Sequence, residues 1–201
     1  MNGKGFFILT ILQYFLISVL LILIVIYTRT IFNNQKKLEK LQKDRFISEF
    51  KIIAEKYYDW EINVLEDIAN YIYTYCKENK IKVDDILVLI LTESKYKPYA
   101  KSNKGAFGLM QIKYSTAKIL QNKVELPLSL KDPYINVVYG LEHLNNLHKI
   151  YNSPIEVYSA YNTGSNHLKN KGINWNFIRK LLINKTYIEN KILFRKLDTS
   201  F

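Results

Sequence analysis

Apolar positions along the chain follow three different patterns. Residues 6–28, FFILTILQYFLISVLLILIVIYT, carry no charge and as a helix would span roughly 34 Å, enough to cross a bilayer with some tilt. A cleaved secretory signal would have a shorter apolar core followed by a small-x-small site, so an uncleaved anchor is expected, and no cysteine stands here to be lipidated. From Thr30 to Tyr57 the apolar positions thin to a stripe of Ile31, Leu38, Leu41, Phe46, Phe50 and Ile53 among mixed charges. That spacing predicts a helix continuing out of the membrane as a stalk.

The remainder reads as short helices. Val64, Leu65, Ile68, Ile72, Tyr75 and Cys76 share one helical face, as do Val137, Val138, Leu141, Leu144, Leu147 and Ile150. Ile86 to Leu91 is apolar without interruption, which suits a helix wrapped on all sides or a buried strand; its helical flanks favour the helix, with Asp84 or Asp85 capping its start. Further helices are expected through Ile119 and Leu120, over Ile155–Tyr161, over Trp175–Leu182, and over Thr186–Phe194 with Tyr187 in the first turn. Glu78 to Lys82 reads as a polar turn, Pro127 as a loop, and Asn152 to Pro154 as a break. Asp132-Pro133 reads as a helix start, with the acid as cap. No internal repeat and no useful strand pattern is visible. The expectation is an all-α protein divided into an anchor (1–29), a helical stalk (30–60) and a helical domain (61–201).

Composition narrows this further. Only 7 glycines and 4 prolines argue against sandwiches and barrels. A net charge of +11 calls for anionic partners without choosing among nucleic acid, acidic lipid and an anionic polymer; no nucleic-acid-binding module is present, so no nucleic-acid partner is expected. Cys76 is the only cysteine, so no intramolecular disulfide can form, and its spacing to Ile72 and Ile68 makes it a small core residue. His143 and His148 share a helix face poorly and His167 is isolated, so no metal site and no cofactor are expected.

The stretch with candidate chemistry runs from Asp84 to Ala117. Glu93 stands where the apolar run meets a polar loop with Ser94, Ser102, Asn103 and Gly105. A carboxyl beside apolar surface has its charged form disfavoured and can hold a proton at neutral pH for donation to a leaving oxygen. Read alone, Glu93 is better explained as a solvated helix-end residue.

The wider pattern changes that reading. Glu93-Ser94, Pro98, Ala100, Ser102, Gly105-Ala106, Gly108-Leu109-Met110-Gln111 and Thr116-Ala117 resemble, in order and spacing, the lytic transglycosylase domain of the soluble (SLT) type, glycoside hydrolase family 23. Ala160-Tyr161-Asn162-Thr163-Gly164 resembles that family's AYNxG motif, and Tyr187 its final tyrosine. Tyr114 stands where the family often has proline, and Thr163 where alanine is common. The resemblance covers about Ile81 to Lys196 and implies a lysozyme-like fold acting on peptidoglycan glycan strands.

The resemblance also implies roles. Glu93 would protonate the oxygen of the β-1,4 bond between N-acetylmuramic acid and N-acetylglucosamine, then accept the 6-hydroxyl proton as a 1,6-anhydro ring closes. Ser102 would lie near the N-acetyl group, Met110 and Gln111 would line the cleft, and Tyr161 and Tyr187 would bring hydroxyls and ring faces near Glu93. Asn162 would brace the loop, Ser94 would hold it, and Gly105 and Gly108 would let it turn tightly. Glu125, Asp132, Glu142 and Glu156 have no motif marking a second catalytic acid. A hydrolase of the same bond and an inactive wall-binding protein of the same fold are the alternatives. Wall cleavage implies a single-pass protein of the cytoplasmic (inner) membrane with its domain facing the wall or periplasm. Against this, Arg29, Lys36, Lys37, Lys40, Lys43 and Arg45 outnumber Lys4 across the apolar stretch and favour a cytoplasmic C-terminal side. The site outweighs the charge count, because a wall-cleaving enzyme has no substrate in the cytoplasm.

Overall fold

The computed structural model describes residues 3–124 and 129–198; the loop expected at Pro127, and Glu125, lie outside the described residues. The architecture is all-α, as the periodicity predicts. Eight helices are described: α1 (Gly3–Glu55), α2 (Ile62–Glu78), α3 (Val83–Ser94), α4 (Tyr114–Leu120), α5 (Pro133–Ile150), α6 (Pro154–Thr163), α7 (Ser165–Lys171) and α8 (Trp175–Asp198). A two-stranded antiparallel ribbon, β1 (Ala106–Phe107) and β2 (Ile112–Lys113), pairs Ala106 with Lys113 and Phe107 with Ile112.

The chain separates into two units, Met1–Asp44 and Arg45–Phe201. In the first, α1 exposes apolar side chains from Ile11 to Tyr27 around its whole circumference, and by length and composition it suffices to cross a membrane. An apolar surface of this extent is unfavourable in water.

The second unit begins earlier than the expected boundary at residue 61. Phe46, Phe50, Ile53 and Ala54, assigned to the stalk from the sequence, are buried in this unit's core. Phe46 packs on Tyr73 at 6.0 Å between ring centroids, and Phe50 meets Tyr96 edge-on at 5.4 Å. Arg45 reaches Asp84 (3.6 Å) and Lys51 reaches Glu66 (3.3 Å). A helical stripe shows that a face is buried but not what buries it, and here the domain itself does so. Leu38 and Leu41, earlier in the same stripe, remain exposed.

α3 is the central rod: Ile86 through Leu91 are all buried, as an all-round apolar helix requires. α2 buries Leu65, Ile68, Ala69, Ile72, Tyr73 and Cys76, and burial pushes the Cys76 thiol up to about 12, so it behaves as a core residue. The expected cap of α3 by Asp84 or Asp85 is not made; both lie within the first turn, where they favour the helix dipole and approach Arg45 and Lys185. Asp132 does cap α5, accepting from Tyr134 N at 2.8 Å and Ile135 N at 3.1 Å. Asp132→Ala should therefore lower stability by about 1 kcal/mol, read as a modest loss in thermal midpoint.

α8 differs from the expected pair of helices. Residues 183–186 contain no glycine or proline to break it, and Asn184 donates to Thr92 Oγ at 2.9 Å, tying α8 to α3. Tyr187 thus lies well inside a continuous helix and not on a first turn.

Candidate active site

The site is built from where α3 stops. Glu93 occupies the last turn, and Lys95 (φ 53°) and Tyr96 (φ 58°) then adopt left-handed backbone in succession. Two such non-glycine residues cost of order 1–3 kcal/mol each and persist only where packing holds them. Tyr96 supplies that hold: it is fully buried, donates its hydroxyl to Leu87 O at 2.9 Å, and stacks on Tyr57 with 6.4 Å between centroids. Ser94, also buried, donates to Ile90 O at 3.1 Å.

The following loop is organised by Ser102 and Gln111. Ser102 Oγ accepts from Ala106 N (3.0 Å) and Lys104 N (3.3 Å), which leaves its own O–H free to donate. Gln111, itself at φ 49°, donates its amide N–H groups to Gly108 O (2.9 Å) and Ala100 O (3.2 Å), keeping its carbonyl oxygen as an acceptor. Gly108 has φ +76°, and a Cβ there would lie 2.3 Å from Asn136 Cγ, so both torsion and space demand glycine. Gly105 shares that φ but faces open space.

Glu93, Ser102, Gln111, Tyr161 and Asn162 line one cavity of about 920 Å³ together with Lys104, Lys113, Thr116, His143, His167 and Trp175. Elements from the end of α3 to the start of α8 thus meet at one carboxyl. Burial pushes the Glu93 carboxyl up to about 7, against opposing pulls from an Asn162 hydrogen bond and the Lys180 charge. Asn162 is itself oriented: its Oδ1 accepts from Asn174 Nδ2 at 2.9 Å, and Asn174 N donates to the buried Ser159 Oγ at 2.7 Å. Its amide N–H groups are thereby left to face Glu93.

Two sequence-predicted site residues lie elsewhere. Met110 is fully buried and does not line the cavity; its side chain packs against Gly140, while its N–H donates to Asn136 Oδ1 and its carbonyl accepts the Tyr161 hydroxyl at 2.8 Å. Tyr187 is not in the cavity lining either. It accepts a hydrogen bond from Lys56, beside Tyr57, on another part of the unit, because the uninterrupted α8 carries it past the site.

Tyr161 is nine-tenths buried and its hydroxyl is committed to the Met110 carbonyl. Tyr161→Phe should orphan that carbonyl and cost about 1–2 kcal/mol of stability, which a denaturant titration measures.

His143 was missed as a site residue. Its ring lies 5.2 Å from that of Tyr161, and burial pushes it down to about 4, so it is neutral at physiological pH. A signal existed: Asn136, Gly140 and His143 make a small and polar stripe at helical spacing along α5, interrupting its apolar face, and all three face the ribbon loop or the cavity.

Comparison with known proteins places this geometry in context. The family model described as "Transglycosylase SLT domain" matches residues 70–178. Membrane-bound lytic murein transglycosylase E of Buchnera aphidicola is 40% identical over 79 residues, 35% of this chain and 36% of that protein. Membrane-bound lytic murein transglycosylase C of Salmonella arizonae is 37% identical over 102 residues, 43% of this chain and 28% of that protein. The chain thus matches only about a third of the length of these relatives. Among solved structures, the 70 kDa soluble lytic transglycosylase of Escherichia coli aligns with a TM-score of 0.45 at 24% identity, covering 64% of this chain and 26% of that one.

Proposed function

This chain belongs to the transglycosylase SLT domain family, and from that premise we propose that it is a membrane-anchored lytic murein transglycosylase with Glu93 as its single acid and base. The observation that carries the reading is one carboxyl, held up to about 7, in a polar cavity of about 920 Å³. A group poised there is half protonated near neutral pH, so it can give a proton to the departing glycosidic oxygen and take one back from the 6-hydroxyl. Ser102 has an O–H left to donate to the N-acetyl carbonyl, and Gln111 has a carbonyl left to accept a sugar hydroxyl. The substrate is the bond between N-acetylmuramic acid and N-acetylglucosamine in peptidoglycan strands, and the product a 1,6-anhydromuramoyl end.

The anchor is the apolar part of α1, supported by its all-round exposure and by the membrane-bound relatives. The domain faces the wall. Mass spectrometry of sacculi digested by the purified chain should show anhydro-muramic ends; reducing ends alone would replace the lyase with a hydrolase, and no release would leave a wall-binding protein. A phosphatase fused after Phe201 should be active in cells, and a silent fusion would overturn the orientation.

A further inference from the structure

A second cavity, of about 340 Å³, shares no residue with the first. Its walls include the rings of Tyr58, Trp60 and Tyr99, with Tyr58 edge-on to Trp60 at 5.8 Å and to Tyr99 at 6.1 Å. Between them stand Asp59, Glu61 and Asp67, none of which forms an ion pair among the described residues. In a chain with 29 basic and 18 acidic residues, a cavity lined by these carboxylates and by no lysine or arginine reverses the surrounding charge. Trp60 adds a buried indole N–H that meets no acceptor among the described residues.

We propose that this aromatic, carboxylate-lined cavity binds a peptide through the primary ammonium of a lysine-type side chain. Ring faces attract a cation through their quadrupole, and carboxylates beside them supply the opposite charge, so a free amine is held and an acylated amine is not. A neutral apolar ligand would leave the carboxylates without partners, and an anion would be repelled. The inference does not depend on the proposed cleavage at Glu93.

Trp60 provides the readout. In the full chain carrying Trp175→Phe, purified in neutral detergent, Trp60 is the only tryptophan, and its fluorescence reports the cavity directly. Nα-acetyl-lysinamide should give a saturable change that weakens with salt, and its Nε-acetylated counterpart should give none. Asp67→Asn or Tyr99→Ala, each retaining the parent's helical circular dichroism, should weaken binding by roughly fivefold or more. An equal response to both ligands, no response to either, or full affinity in both variants would overturn the proposal. Two further arms distinguish the source of the amine: a murein stem peptide with a free side-chain amine, and a synthetic peptide of residues 34–44 of this chain. Whichever binds more tightly than lysinamide names the source, and failure of both to bind overturns the peptide assignment.

Discussion

Glu93→Gln should abolish release of soluble fragments from purified sacculi, with a fall of roughly 10²–10⁴-fold expected for removal of a positioned general acid. The substitution keeps shape and hydrogen-bonding capacity, so a folded, inactive protein is the expected product. Activity within tenfold of the parent would remove Glu93 from the mechanism. The parent's pH profile carries the same information. With the carboxyl at about 7, the acid form is half populated there, and the rate should fall about tenfold per pH unit above it.

Stability should move in a linked way. The folded protein holds the Glu93 proton more tightly than the unfolded chain, whose carboxyl sits at the usual 4.5, so the native state binds more protons between pH 4.5 and 7. Stability is therefore full below 4.5, is lost as pH rises through 7, and stays reduced above that. Glu93→Gln removes this dependence. Discounted for the partial exposure of the side chain to the cavity, the variant should be more stable than the parent at pH 8 by on the order of 2 kcal/mol, with little difference near pH 4. Parallel thermal melts at the two pH values check this, and coincident pH dependences would refute the buried-acid assignment.

The second large effect is expected at an uncharged residue. Asn136 is fully buried on α5, and its side chain accepts from Met110 N at 2.9 Å while donating to Phe107 O at 2.8 Å and Leu130 O at 3.3 Å. These bonds clamp both sides of the tight turn between β1 and β2, and Gly108 makes room for the amide. Asn136→Ala removes a donor and an acceptor from partners that water reaches poorly, and opens a gap. Each orphaned group costs about 1–3 kcal/mol, so a total of about 3–5 kcal/mol is expected. Because the same turn presents Gln111 and leads back to Ser102, activity should fall along with stability. Denaturant unfolding measures the first and sacculus digestion the second; a variant with parental stability would show that the clamp is dispensable.

Much of this was legible in the chain. The uncharged run at residues 6–28, the six-residue apolar core of α3 and the Asp132 cap follow from local rules, since length, periodicity and a capping side chain act on neighbours in sequence. Glu93, Ser102, Gln111, Tyr161 and Asn162 were marked by a motif pattern, and the fold brings them to one cavity. Met110 and Tyr187 belonged to the same pattern but lie outside it. Met110, like Leu109, is buried in the core, while Gln111, Ile112 and Lys113 line the cavity, and motif spacing does not reveal where that change falls. Tyr187's direction depends on whether residues 183–186 break the helix, which tertiary contacts such as Asn184 to Thr92 decide.

What the sequence by itself determined is therefore the all-helical character and the apolar span, each set by interactions over a few residues, with Glu93 marked as the candidate acid by its motif. What only the tertiary structure decided is the end of the stalk, the membership of the cavity and the protonation state of Glu93. Phe46 and Phe50 become core only when Tyr73 and Tyr96 arrive to cover them. The carboxyl rises to about 7 only when the surrounding chain displaces its water, against the opposing pull of the Asn162 amide from α6. Burial is a property of distant segments meeting, and no local pattern of side chains contains it.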